Sequence, residues 1–261
     1  MNVVKIYGGL GNQMFQYAFG KAIEKNGLPV TYEISWYNKP QEVIRPFHLN
    51  RFRLTLKIGT FSSDRPTIHE KEFYRFVPNH LQRHDANFFG YWQNRKYLES
   101  VLPELKDEFR VNPGLYTEEY LNWKGKILSS DNSVSLHIRR GDYLTKGHHL
   151  LPLSYYTDCL KYLMERFDNL SIFIFSDDIA WCKENIKNVE GYIDLEDYLC
   201  LDLMRMCTHK ITANSTFSWW AGILGEKENS ITFAPIRWRL NDEEESVVSE
   251  EKFVPDNWIR L

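Results

Sequence analysis

The 261-residue sequence has no excess of positive charge: 32 Lys and Arg stand against 35 Asp and Glu, for a net charge of −3. That excludes a general nucleic-acid coat, which needs a basic surface. It has only four cysteines, Cys159, Cys182, Cys200 and Cys207, and no C-x-x-C pair among them. A disulfide framework or a thiolate metal site is therefore not indicated, and buried free thiols in a reducing compartment are expected. No apolar run reaches membrane-spanning length. Met1 leads directly into a strand-like run, so no secretory leader is read and a cytoplasmic location is expected. Internal repeats and low-complexity stretches are absent, and the acidic run Asp242–Glu245 is read as a solvated loop. Aromatic residues, by contrast, are plentiful at 15%, a composition that suits a binder of sugars or other small molecules.

The first clear pattern is VVKIYGGLGNQMFQYAFGKAIEKNG, residues 3–27. Val3–Tyr7 reads as a strand, and Met14, Tyr17, Ala18, Lys21, Ala22 and Lys25 recur at helical spacing before Gly27. Between them lies Gly8-Gly9-Leu10-Gly11-Asn12-Gln13. A strand, a glycine loop and a helix N-terminus make an anion site; a tight turn needing positive φ is the plainer alternative. The dinucleotide fingerprint G-x-G-x-x-G fails, because Met14 stands where the third glycine belongs. No P-loop lysine follows. A dinucleotide-dependent dehydrogenase is thus poorly supported.

The second half alternates strand and helix. Strands are expected at 133–138, 170–175, 191–194, 210–213 and 230–234. Helices are expected from a Ser154 cap through Phe167, around Trp181–Ile186, over Tyr198–Cys207 and over Phe217–Gly225. Alternation with apolar strands predicts a parallel sheet covered on both faces. The first half begins the same way, with Leu28–Tyr32 as a second strand, and residues 40–90 show no clear period. Gly90-Tyr91-Trp92-Gln93 reads as a strand end, and Asn94 caps a helix through Leu98, Leu102 and Phe109. A hinge is placed near residues 112–130. The expected architecture is two α/β domains, 1–125 and 126–261, facing a cleft, with the C-terminal tail free to return to the first. Ligands in such sheets sit beyond the carboxyl ends of the strands.

Two loops carry the sharpest chemistry. In HIRRGDY, residues 137–143, Arg139 and Arg140 directly follow a buried-looking strand, where charge is costly unless paired. Their forks suit phosphate; a structural ion pair with Asp142 is the alternative. In NSTFSWW, residues 214–220, Asn214, Ser215 and Thr216 sit where a strand gives way to a helix, either as a phosphate cradle or as an ordinary N-cap. Trp219 and Trp220 are read as core residues before stacking surfaces. No D-x-D pair follows an apolar strand, and His148-His149 lacks a partner cluster. Metal is therefore not expected. A diphosphate held by arginine and backbone is the consistent picture.

GGLGNQMFQYAFG, GYWQN, HIRRGDY and NSTFSWWAG, in that order, resemble the bacterial α-1,2-fucosyltransferases of glycosyltransferase family 11. The resemblance runs from residue 5 to about residue 240. It implies a GT-B-like fold of two Rossmann-like domains facing a cleft and GDP-β-L-fucose as donor. It also implies metal-independent, inverting transfer to a galactose 2-hydroxyl, with no cofactor. By similarity to the wider superfamily, Arg139 would hold the donor β-phosphate, His137 the nucleoside side, and Arg140 would support the site. Asp202 would read guanine, whose N–H donors a carboxylate matches; a charged residue on a solvated helix face is the alternative. Asn214, Ser215, Thr216 and Ser218 would reach phosphate. Gly9, Gly11 and Asn12 would line the donor or acceptor side from the first domain and are assigned to donor binding, with Gln13, His148 and Trp92 on the acceptor side. Asp142 ranks first as general base, with His148 and His149 on the same loop; the α-1,6 relatives' glutamate falls at Gly147, so it is not carried over. Partners are a galactose-terminated glycan, such as an O-antigen or capsule precursor, and possible peripheral contact with the inner face of the membrane through a lipid-linked acceptor. Other fucosyl linkages and a non-catalytic GDP-sugar-binding protein are the rival readings.

Overall fold

The structure is a computed structural model that describes residues 1–145 and 149–261. Lys146, Gly147 and His148 lie outside the described residues. The chain forms two compact units: residues 1–112 with 246–253, and residues 113–245 with 254–261.

The first unit holds four parallel strands, β1 (Asn2–Lys5), β2 (Val30–Glu33), β3 (Thr67–His69) and β4 (Asn87–Phe89), in the order β2-β1-β4-β3. Helix α1 (Leu10–Lys25) follows β1. Its apolar stripe of Met14, Phe15, Ala18, Phe19, Ala22 and Ile23 is fully buried, which is what helical spacing of those residues demands. Strands β3 and β4 arise within the stretch that showed no period. Each is three residues long, too short for alternation to register. The helix expected from Asn94 is split. Asn94 accepts a hydrogen bond from the Lys96 amide at 2.8 Å and caps one 3₁₀ turn, Arg95–Tyr97. The helix α2 (Leu102–Glu108) then starts afresh with Pro103 in its first turn, where a missing N–H costs nothing.

The second unit holds six parallel strands: β5 (Asn132–Ile138), β6 (Leu170–Ser176), β7 (Gly191–Ile193), β8 (His209–Ile211), β9 (Thr232–Ala234) and β10 (Ile259–Arg260). Their order is β10-β9-β8-β5-β6-β7. The alternation Val134-Ser135-Leu136-His137-Ile138 sends two sets of side chains to opposite faces. Val134, Leu136 and Ile138 pack with α4 (Leu153–Met164) and α5 (Ile179–Asn185) in one core cluster. On the other face α6 (Asp197–Met206) and α7 (Thr216–Leu224) lie together, and His137 meets Phe217 of α7 at 5.4 Å between ring centroids. All four cysteines are buried and free.

Several expectations differ in detail. The proposed hinge contains α3 (Glu118–Leu128), capped by Thr117 and anchored by buried Tyr120 and Ile127. The expected domain boundary at 125/126 therefore falls inside a helix, and the units divide between Asn112 and Pro113. Ser154 does not cap α4: the helix begins at Leu153 after Pro152, without a side-chain cap. The acidic run opens α8 (Asp242–Glu250) rather than a loop, with Asp242, Glu243, Glu244 and Glu245 in its first turn, where the helix dipole favours negative charge. Among the described residues, no helix is long and apolar enough to cross a membrane.

Candidate functional site

In the second sheet the chain leaves β5 through β6 to β7, then returns to the opposite side of β5 as β8. The loops after β5 and β8 therefore diverge at one edge, the point where open α/β sheets bind ligands. These are the HIRRGDY and NSTFSWW loops. They are joined directly: the Tyr143 hydroxyl donates to the carbonyl oxygen of Asn214 at 2.9 Å.

Both arginines are held by aspartates. Arg139 places Nη2 2.5 Å from Asp142 and Nη1 2.8 Å from Asp177. Arg140 donates its backbone N–H to Asp177 at 2.8 Å and its Nε to Asp178 at 3.1 Å, and its guanidinium lies 4.0 Å from the Trp181 ring centroid. Asp178 also caps α5 by accepting the Trp181 amide. Gly141 is required here, since a Cβ would come within 2.5 Å of the Asp177 carboxylate. The arginine cluster is thus pre-positioned, with its charge balanced by three carboxylates on two loops. Asp177 and Asp178, which the sequence places after a strand and able to face the cleft, belong to this site, as does Tyr143, to which the sequence assigned no role. The Asp177-Asp178 pair directly after an apolar strand is the signal that marks two of them.

His137, the penultimate residue of β5, is buried, and its Nδ1 has no hydrogen-bond partner among the described residues. Burial lowers its pKa to about 4, with Arg139 pushing the same way and Asp177 opposing, so the ring is neutral near pH 7. Ser215 caps α7, accepting the Phe217 amide at 3.3 Å, and Thr216 opens the helix. The first-turn amides and the dipole of that helix face the same edge.

Other expected ligand groups are already engaged. Asn214 donates Nδ2 to His149 O at 2.8 Å and Trp238 O at 3.2 Å. Ser218 is buried, with its hydroxyl directed at the carbonyls of Ala213 and Ser215. Asp202 is 3% exposed on α6. Its carboxylate accepts the Tyr120 hydroxyl at 2.6 Å and lies 3.5 Å from Arg205 Nε. It is not the solvated charge considered above; its carboxylate is buried and already engaged by Tyr120 and Arg205, with acceptor capacity left over. Trp219 and Trp220 are core residues. His149 is described, with Nδ1 3.1 Å from Arg237 O; His148 lies outside the described residues.

The glycine loop of the first unit follows the same topology. The order β2-β1-β4-β3 puts the switch between β1 and β4, and their loops are tied by Gln93 Nε2 donating to Asn12 Oδ1 at 2.9 Å. Gly8 takes φ +83°, which a side chain would oppose. Gly9 precedes α1 as its N-cap, and Gly11 is buried inside the helix. Gln13 is 0% exposed. It donates to Gly8 O and Pro46 O and accepts the His48 amide. Trp92 is 1% exposed and stacks on Phe19 at 4.4 Å. Both were expected on the acceptor side, and both are interior braces instead. Hydrophobic burial claims the tryptophan, and three backbone groups claim the amide. Glu70, just past β3, accepts the amides of Tyr91 at 2.6 Å and Trp92 at 3.1 Å. Burial raises its pKa to about 7 against these hydrogen bonds. It falls in the stretch without periodicity, where nothing marks it.

Known proteins are similar to this chain over most of its length. The sequence matches Glycosyl transferase family 11 over residues 1–261. It is 32% identical to an alpha-1,2-colitosyltransferase of Escherichia coli, over 99% of this chain and 98% of the relative. It is 27% identical to galactoside alpha-(1,2)-fucosyltransferase 2 of Rattus norvegicus, over 86% of this chain and 67% of the relative. A solved structure of fucosyltransferase NodZ from Bradyrhizobium superposes with a TM-score of 0.54 at 11% identity, covering 85% of this chain and 92% of that one. That likeness concerns the fold, which is GT-B-like with two Rossmann-like units. Matched from its first residue to its last, with the arginine loop and the helix-capping serine loop at one switch point, the chain belongs to glycosyl transferase family 11.

Proposed function

We propose that this glycosyltransferase moves L-fucose from GDP-β-L-fucose to the 2-hydroxyl of a galactose in a glycan, with inversion and without a metal ion. The observation that carries the reading is the arginine cluster at the switch point beside the N-terminus of α7. A diphosphate there would meet a bidentate guanidinium and helix amides together. The named relatives support the α-1,2 linkage and the galactoside acceptor.

As the acceptor hydroxyl attacks C1, negative charge grows on the departing β-phosphate. Arg139 stabilises that charge where it develops, from a position its aspartates have already set. Arg140, fixed by Asp177, Asp178 and Trp181, braces the loop. Ser215 and Thr216 present the helix amides to phosphate. His137, neutral, offers a polar edge to the nucleoside side. When phosphate draws on Arg139, the ion pair to Asp142 weakens, and that carboxylate becomes able to accept the proton of the acceptor hydroxyl. A galactose-ended O-antigen or capsule precursor on a lipid carrier and a glycan that mimics a host structure both fit this acceptor chemistry.

A second donor is favoured by the colitosyltransferase relative, which matches nearly the full length. Colitose is fucose without its 3-hydroxyl, so its GDP-linked form would meet the same diphosphate groups. The test is incubation of purified protein with either GDP-sugar and lactose, with and without EDTA, following GDP release and determining the product linkage. A 2-linked fucosyl product that survives EDTA supports the primary reading. Turnover of only the 3-deoxy donor moves the assignment to colitose, and GDP binding without turnover of either returns it to a binding protein.

A further inference from the structure

All four strands of the first sheet run parallel, so their carboxyl ends share one edge. Each strand is followed at that edge by an aromatic residue. Tyr7 follows β1, Trp36 lies in the 3₁₀ turn after β2, Phe73 follows β3, and Tyr91 follows β4. In the sheet order β2-β1-β4-β3 these become Trp36, Tyr7, Tyr91, Phe73. Their rings meet in that same order. Centroids are 6.4 Å apart for Trp36–Tyr7, 4.7 Å for Tyr7–Tyr91 and 5.9 Å for Tyr91–Phe73. None is a core residue: Trp36, Tyr7 and Tyr91 are half-buried, and Phe73 is 43% exposed.

A continuous row of partly exposed rings along a sheet edge offers apolar faces on which a ligand can stack, and its end residue, Phe73, is among the exposed large hydrophobics. Three strand spacings make the row roughly 14 Å long, longer than a single pyranose. Its members differ in what fixes them. Glu70 accepts the Tyr91 amide and so fixes the backbone that carries that ring. Pyranose rings present flat C–H faces to aromatic rings and hydroxyls to carboxylates and phenols. We propose that this row is the acceptor subsite of the transferase and that it binds an extended oligosaccharide along its length. The inference rests on the glycosyl-transfer reading above but concerns the other unit and the other substrate.

The test measures binding separately from turnover. Saturation-transfer NMR from the aromatic protons is recorded with methyl β-galactoside, N-acetyllactosamine and a galactose-ended tetrasaccharide. The proteins are wild type, Trp36→Ala, Trp36→Phe and Phe73→Ala, each checked by thermal melting, with GDP affinity by calorimetry as the control. The tetrasaccharide is expected to bind more tightly than the methyl galactoside. Trp36→Ala and Phe73→Ala should each weaken the tetrasaccharide about tenfold, or ~1.4 kcal/mol. Trp36→Phe should retain most of the affinity, and GDP binding should not move. Phe73 is exposed enough that its truncation leaves the fold intact. Unchanged tetrasaccharide affinity in the folded alanine variants would overturn the proposal, as would wild type that binds none of the saccharides. Saccharide binding that depends on the row, in a protein that transfers no sugar, would keep the row and overturn the transfer reading instead.

Discussion

The hydroxyl of Tyr143 and the carbonyl oxygen of Asn214, 71 residues apart, are joined by a 2.9 Å hydrogen bond that ties the loop after β5 to the loop after β8. The bond spans the switch point where the diphosphate is proposed to lie. Tyr143→Phe keeps the ring, which lies 5.5 Å from the Arg139 guanidinium, and removes the hydroxyl that makes the bond. The expected cost is about 1 kcal/mol of stability. Because the two loops then keep the bond from Asn214 Nδ2 to the His149 carbonyl but lose this one, their spacing loosens and the donor KM should rise more than kcat falls. Chemical denaturation and donor-varied kinetics check both.

Arg139→Ala should lower kcat at least ~100-fold, by analogy with the loss of one preorganised donor, while the protein remains folded. Arg139→Lys should recover little, since a lysine cannot serve Asp142 and Asp177 from one planar fork. A folded alanine variant at near wild-type rate would remove Arg139 from the mechanism. Asp142→Asn tests the companion assignment: the rate should fall and lose its acid limb, and full activity across pH would exclude it as the base.

His137 predicts a pH dependence of stability. Its pKa is lowered from 6.5 to about 4, with burial the main cause. The unfolded chain therefore binds the extra proton between pH 6.5 and 4 and the folded chain does not. Stability should fall as pH drops through that window, by up to about 3 kcal/mol. His209, also lowered to about 4, acts in the same direction. Urea unfolding at pH 7 and pH 4.5 should show a smaller difference for His137→Asn than for wild type.

Glu70 predicts the opposite sign. Burial raises its pKa from 4.5 to about 7, so between those values the folded state holds a proton that the unfolded chain has released. Its contribution to stability should decline as pH rises from 4.5 through 7. Glu70→Gln should flatten that decline and loosen residues 91–93. Unfolding titrations of the two proteins across this range, with amide exchange at Tyr91 and Trp92, measure both effects.

Residues that act through local rules are legible in the amino-acid order. The strand–glycine–helix opening, the apolar strands of the second unit and the Ser215 cap follow from periodicity and from hydrogen-bonding groups close in sequence. Gln13, Trp92 and Ser218 show where such reading stops. Each has a side chain that suits ligand contact, and each is claimed by a backbone or core partner that no spacing reveals. The burial of Asp202 is equally hidden, since Tyr120, which donates to its carboxylate, lies 82 residues away. Strands β3 and β4 escape because three residues cannot show a period.

The sequence by itself determined that this is an α/β chain with an arginine loop that must find anionic partners, because burial patterns and the cost of unpaired charge are written residue by residue. Only the tertiary structure decided which aspartates hold those arginines and which loops share an edge. It also decided that four aromatics scattered between residues 7 and 91 form one row. Strand order is the physical reason: it places β4 beside β1 and β8 beside β5, and distances between residues far apart in the chain are set by that order alone.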